Sequence, residues 1–379
     1  MKELAIFGST GSIGCSTLNV VRRHRDRFAV SILAAGRNSQ RLIEQIREFN
    51  PRHVYIIGEK DAAVLKALFP GLDIYRGEDG MDKVSRLTDF DIGVSALVGV
   101  AGLRPTWNMI HNGKTVALAN KEVLVAGGRL VMEAARKQGA ALLTVDSEHS
   151  AIMQCLRGEN HGEIERILLT ASGGPFFDRE ITDGITPEEA LRHPTWKMGP
   201  KITIDSATMM NKGFEIIEAR WLFDVPVERV QVVIHRQSIV HSMVEFKDGS
   251  IMANIAPPDM ELPIAYALSY PERMEMPQRL DIFAMKALEF KAPDEEKFPC
   301  LRLAKEAARA GHGAQVVLNA ANEALVARFL AGGLRFTDIP RGVEEMLRQH
   351  TPGEPGSIDE VLALDEETRH RTEEWMKTR

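Results

Sequence analysis

The stretch Leu4-Ala-Ile-Phe-Gly8-Ser-Thr-Gly11-Ser-Ile-Gly14 decides how the chain is read. A short apolar run leads directly into three glycines spaced GxxGxxG, and these open a helix. In such a strand–loop–helix unit the backbone can approach a pyrophosphate closely. Unpaired N–H groups and the positive end of the helix dipole then face the anion. The commoner fingerprint is GxGxxG, so the motif by itself leaves open a tight turn packed against a sheet.

Further runs of the same kind follow: Val30–Leu33, Val54–Ile57, Ile92–Val94, Thr115–Leu118 and Leu142–Val145. They alternate with segments of helical spacing such as Leu42–Phe49. Strand–helix alternation predicts an α/β domain: a parallel sheet with helices on both faces, binding ligands beyond the carboxyl ends of its strands. The second strand ends in Gly36-Arg37-Asn38, with no acid to accept a ribose 2′-hydroxyl. A carboxylate there would repel a 2′-phosphate, whereas the planar fork of Arg37 can bind one. NADP(H) is therefore expected, the other reading of Arg37 being a solvated loop cation.

Composition narrows the rest. Lys plus Arg number 47 against 53 Asp plus Glu, a formal net charge of −6, which argues against a nucleic-acid surface. The longest weakly polar stretch, Ile92–Leu103, falls short of the ~20 residues of a membrane span. Three widely separated cysteines (Cys15, Cys155, Cys300) exclude a disulfide framework and a Cys-built zinc site. Met1-Lys2-Glu3 leads straight into the first apolar run, leaving no room for a signal peptide, so a soluble cytoplasmic protein is expected.

The pattern divides the chain at 1–149, 150–269, 270–296 and 297–379. After the α/β part, Ile164–Thr170, Lys201–Asp205, Val230–Ile234 and Ser250–Ile255 read as strands of an α+β domain. Tyr270–Lys297 has no sustained period and reads as a connector. Leu301–Ala310 and Ala314–Leu330 belong to a helical bundle.

Two acidic clusters carry the candidate chemistry. If strand geometry persists beyond Val145, Asp146 and Glu148 project to one side, and a cation between them would relieve their repulsion. On these residues alone, a polar loop whose Asp146 or Ser147 caps the following helix is the favoured account. Met209–Leu222 is helical, with Asn211, Lys212 and Glu215 on one face and Glu218 continuing a solvent-facing stripe. Gly213 inside that helix costs about 1 kcal/mol relative to Ala, which implies a close approach to its backbone. Asp146, Glu148 and Glu215 together would make an all-oxygen site suited to Mg²⁺ or Mn²⁺. Ala171-Ser-Gly-Gly-Pro175 suits an anion-accepting turn or a plain Gly-Pro loop. His193-Pro-Thr-Trp196-Lys-Met-Gly199 suits an apolar lid, or a loop whose Trp196 packs in the core. His235, His241 and Asn319–Glu323 read as structural.

GSTGSIG at 8–14, AGRN at 35–38, LANKE at 118–122, VDSEH at 145–149, ASGGPF at 171–176, HPTWKMG at 193–199, DSATMMNKGFE at 205–215 and LNAANE at 318–323 are collinear. In that order they resemble the 1-deoxy-D-xylulose 5-phosphate reductoisomerases, over nearly the whole chain. The resemblance implies a Rossmann-like NADPH domain, a central catalytic and dimerisation domain, a connector, a C-terminal helical domain and a homodimer. It implies conversion of 1-deoxy-D-xylulose 5-phosphate to 2-C-methyl-D-erythritol 4-phosphate, a step towards isoprenoid precursors. Asp146, Glu148 and Glu215 would hold Mg²⁺, Mn²⁺ or Co²⁺. Ser172, His193, Ser206, Asn211 and Lys212 would hold the phosphate end, with Ser147 and Lys121 at the reacting carbons. Lys121, Glu148, His193 and Lys212 would carry catalytic roles. Thr10, Gly11, Ser12, Ile13, Gly36, Arg37, Asn38, Asn120, Glu122 and Gly199 would contact NADPH. The chain departs from the family pattern at Lys197 and Pro200, and at Arg236, where a Pro beside His235 is common. Two other classes stay open on the residues alone: a metal-free NADP-dependent dehydrogenase and a non-catalytic NADP(H)-sensing module.

Overall fold

In the computed structural model, which describes residues 1–285, 287–351 and 353–378, seven strands form one wholly parallel sheet. They are β1 (Lys2–Phe7), β2 (Phe28–Ala35), β3 (His53–Ile56), β4 (Asp73–Arg76), β5 (Ile92–Ser95), β6 (Thr115–Leu118) and β7 (Leu142–Thr144), in the order β4-β3-β2-β1-β5-β6-β7. Leu4, Ala5, Ile6 and Phe7 are fully buried. A central parallel strand covered on both faces needs such a continuous apolar run. Strand order reverses on either side of β1, so the glycine loop sits at the switch point of the sheet. β4, absent from the sequence reading, is an edge strand with charged ends and only Ile74 and Tyr75 between them, so it carries almost no apolar signal.

Two compact units make up the chain. The first comprises residues 1–123, 131–150 and 259–277. Its last segment contributes the helix Glu261–Ser269, held to the helix Ser12–Arg23 by an Arg23–Glu261 ion pair and by Asn19 Nδ2 donating to Glu261 at 2.9 Å.

The second comprises residues 124–130, 151–258 and 278–379. Its sheet contains β8 (Ile164–Ala171), β9 (Val230–Ile234), β10 (Val240–Phe246) and β11 (Ile251–Ile255), in the order β11-β10-β8-β9. β8 and β9 are parallel, while β10 runs antiparallel to β8 and β11. The helices Pro299–Ala310, His312–Leu330, Asp338–Gln349 and Ile358–Met376 form the tail bundle. Leu301, Leu318 and Phe329 share one continuous core with Ile167, Leu169, Phe214 and Ile217.

Two local expectations are corrected. Lys201–Asp205 is not a strand but part of the helix Pro200–Ala207, started by Pro200 at its first position. Thr203–Ala207 are all buried there, so the Ile202/Ile204 alternation marks no single face. Strand geometry does not continue through Asp146 and Glu148 either, because β7 ends at Thr144 and the helix Ser147–Cys155 begins. The Asp146 carbonyl accepts from Ser150 N at 2.8 Å, which places Asp146 at the helix start.

Candidate active site

In the first unit the glycine loop closes tightly. Gly8 has φ +98°, and a Cβ there would be driven into the carbonyl of Ala96 beyond β5, so only glycine fits. Gly11 forms the cap of the helix Ser12–Arg23 without a side-chain hydrogen bond, and the first turn carries no acid. Those N–H groups suit a dinucleotide phosphate. Thr10 and Ile13 are half-buried; Gly11 and Ser12 are exposed. Gly36, Arg37 and Asn38 lie exposed just past β2, and Asn38 Oδ1 accepts from Arg41 N at 3.1 Å, capping the helix Ser39–Phe49. Asn120 is buried and donates to the Gly99 carbonyl at 2.9 Å; Glu122, also buried, opens the helix Glu122–Gln138.

On the same unit Lys121 Nζ lies 2.8 Å from Asp146 Oδ2, with both side chains largely buried. Ser147 Oγ donates to Glu148 Oε2 at 2.7 Å. An all-oxygen pair of carboxyl groups fits a hard divalent ion.

The second unit carries the other acid. On the helix Met210–Phe223, Glu215 is 1% exposed and accepts from Asn211 Nδ2 at 2.6 Å and from Lys212 Nζ. Three residues one turn apart thus form a single polar group, as the helical spacing implied. Glu218 is buried, not part of a solvent-facing stripe. The close approach at Gly213 comes from Ala304 on the helix Pro299–Ala310, so this glycine serves helix packing.

Ser206 lies near the end of the helix Pro200–Ala207. That helix is tethered through Asp205, which takes Lys201 Nζ at 2.8 Å and Asn322 Nδ2 at 2.8 Å. Asn322 therefore ties the LNAANE helix to the segment bearing Ser206. The 171–175 turn reaches the same place: a Cβ on Gly174, at φ +65°, would stand 2.6 Å from the Ser206 carbonyl.

His193 Nε2 and Ser172 Oγ are 2.9 Å apart. His193 Nδ1 receives the backbone N–H groups of Trp196 (2.9 Å) and Thr195 (3.2 Å), so it must be the bare nitrogen and Nε2 carries the proton. Burial, aided by the charge of Arg236, holds the imidazole down at about pKa 4, which agrees with this neutral form. Nε2–H donates to Ser172 Oγ. The Trp196 ring is half-buried against His241 at 6.3 Å between centroids, and Gly199 caps the helix that follows.

His235 is structural. Its Nε2 accepts from Ile239 N and Val240 N, its Nδ1 donates to the Glu289 carbonyl, and its ring stacks on Phe290. Arg236 was noted only as a departure, yet it holds the 171–175 turn directly. No sequence signal pointed to this contact, because Ser172 and Gly174 lie 64 and 62 residues from Arg236.

Comparison with known proteins follows this geometry. The model described as "1-deoxy-D-xylulose 5-phosphate reductoisomerase" matches residues 4–128, and its C-terminal domain model matches 142–223. A "DXP reductoisomerase C-terminal domain" model matches 255–371. A 1-deoxy-D-xylulose 5-phosphate reductoisomerase from Prosthecochloris aestuarii is 52% identical over 370 residues, covering 96% of this chain and 97% of its own. The Zymomonas mobilis enzyme, solved with NADPH, is 42% identical at TM-score 0.93 and matches over 100% of both chains. A DOX-P reductoisomerase solved with NADPH, fosmidomycin and magnesium is 40% identical at TM-score 0.95, covering 100% of this chain and 98% of that one. On this full-length likeness, the chain belongs to the 1-deoxy-D-xylulose 5-phosphate reductoisomerase family.

Proposed function

We propose that the chain performs the family's reaction, the NADPH- and divalent-metal-dependent conversion of 1-deoxy-D-xylulose 5-phosphate to 2-C-methyl-D-erythritol 4-phosphate, with the following division of labour. Asp146, Glu148 and Glu215 are the carboxylates that hold the divalent ion. When bound, that ion supplies Lewis-acid polarisation and charge neutralisation at the substrate's oxygens, and NADPH supplies the hydride.

Ser172, His193, Ser206, Asn211 and Lys212 grip the phosphate. The Ser172 hydroxyl already accepts from His193 and from Gly174 N, so its own hydrogen is the donor it offers an anion. Lys121 and Ser147 orient the reacting carbons, and Lys121 pairs with Asp146. Glu148, hydrogen-bonded by Ser147, is a carboxylate placed to move a proton at a substrate hydroxyl. Remote phosphate binding draws the Trp196 segment over the substrate and excludes water. Thr10 to Ile13, Gly36 to Asn38, Asn120, Glu122 and Gly199 hold NADPH, with Arg37 on the 2′-phosphate.

The observation that carries this reading is the Asn211–Glu215–Lys212 group, a carboxyl group at 1% exposure that accepts from an amide and an ammonium. A purely structural helix face gives no reason to bury an acid and a lysine together. Mixing the protein with NADPH, Mn²⁺ and 1-deoxy-D-xylulose 5-phosphate should consume the reduced-nicotinamide absorbance; no loss overturns the assignment.

A homodimer is part of the proposal. Its support is the sheet edge at β11, where Ile251, Met252 and Ile255 are each at least 40% exposed. Light scattering after size exclusion tests it. A cytoplasmic location rests on three free thiols at Cys15, Cys155 and Cys300. No helix among the described residues is long and apolar enough to cross a membrane.

A further inference from the structure

We propose that Arg236 is a positioning residue for the substrate's phosphate, acting by clamping the turn that contains Ser172. The proposal rests on the reading of residues 171–175 as part of the phosphate grip. Arg236 follows β9, and its Nη1 donates to two carbonyls of that turn, Ser172 at 2.8 Å and Gly174 at 2.7 Å. The guanidinium lies over the Phe177 ring at 5.7 Å, with Asp178 Oδ2 3.5 Å from Nη2. The aromatic ring and the carboxylate together restrict where the guanidinium can sit.

The clamp matters because of what it holds. Gly173 and Gly174 both adopt positive φ, and two adjacent glycines give a turn unusual freedom. In a planar trans peptide the C=O of one residue and the N–H of the next point in opposite directions. Pinning the Ser172 carbonyl on Arg236 therefore aims the Gly173 N–H away from Arg236. Pinning the Gly174 carbonyl sets the second peptide, beside Ser206. The Ser172 side chain is fixed from the other side by His193. Arg236 thus orders the amide while His193 orders the hydroxyl for an incoming anion, and the cation's charge partly offsets the phosphate's. A lysine could supply the charge, but its single nitrogen could not serve the two carbonyls while a second nitrogen faces Asp178, as Nη1 and Nη2 do here.

The test compares the parent protein with Arg236→Met and Arg236→Lys, each with NADPH and Mg²⁺. The measurements are KM and kcat for 1-deoxy-D-xylulose 5-phosphate, KM for NADPH, and the inhibition constant of inorganic phosphate. Arg236→Met should raise the substrate KM and the phosphate inhibition constant about tenfold, leaving KM for NADPH unchanged. Arg236→Lys should fall between Met and the parent. Phosphate inhibition within twofold of the parent in the Met variant overturns the proposal. So does a Lys variant indistinguishable from the parent, which would make charge alone sufficient, or an equal rise in KM for NADPH, which would mark general damage. If the Met variant does not fold, the Lys variant decides by the same twofold criterion. A parent protein that fails to turn over the substrate would sink the assigned reaction, while direct phosphate binding measured by calorimetry on the same three proteins still judges Arg236.

Discussion

Lys121 Nζ stands 2.8 Å from Asp146 Oδ2, joining the segment just before one helix to the start of another within the first unit. Both side chains are largely buried, so their attraction offsets part of the cost of taking each from water. Replacing Asp146 with Asn should remove one charged partner of the buried Lys121 ammonium and cost about 1–3 kcal/mol of stability. Thermal unfolding in the presence of a chelator isolates this pair; an unchanged midpoint would show that it contributes nothing.

Glu215→Gln keeps the shape of the side chain but removes its charge between Asn211 and Lys212. Turnover should fall by about 10² or more, the scale of a transition-state electrostatic contact, while NADPH affinity stays as in the parent. Steady-state kinetics and fluorescence titration of NADPH separate the two. Full activity in this variant would falsify its role as a ligand.

Arg37 projects from an exposed position after β2 and serves no helix cap, that role belonging to Asn38. Arg37→Asp should therefore weaken NADPH binding by about tenfold or more, through loss of a charge-assisted contact, and leave NADH binding little changed. Equal NADPH affinity in parent and variant would end the 2′-phosphate argument.

The neutral state of His193 makes a pH prediction. Its folded pKa, about 4, lies below the ordinary value of 6.5, because burial and then the Arg236 charge oppose the cation. Below pH 6.5 the unfolded chain takes up a proton here that the folded chain does not. Stability from this group is thus complete above about 6.5 and is lost progressively as pH falls towards 4. An NMR titration should show the His193 ring midpoint near 4 in the parent and higher in Arg236→Met. A midpoint near 6.5 in the parent would contradict the effect of burial and of the Arg236 charge on this ring.

Exhaustive chelation should abolish turnover and leave NADPH binding intact, with Mg²⁺ or Mn²⁺ restoring the rate. Activity surviving chelation would revive the metal-free dehydrogenase that the residues alone left open.

Periodicity located most of the elements because burial is periodic. β1 is buried along its apolar run, and the helix from Met210 places Asn211, Lys212 and Glu215 together. The signal failed where burial lost its sidedness. Lys201–Asp205 looked like a strand because a helix buried nearly all round leaves no polar face to count, and β4 was invisible because an edge strand need bury little.

Local chemistry, then, was written in the linear order: the glycine loop, the missing acid after β2, the carboxylates and their neighbours three or four residues away. Backbone geometry and side-chain type set those without help from the rest of the chain. Whether Glu218 faced solvent, what approached Gly213, which nitrogen of His193 holds the proton and what Arg236 grips were decided only by folding. Each of these depends on groups far apart in the chain, Ala304 on Gly213 or Ser172 on Arg236, and a contact made across dozens of residues leaves no spacing to read.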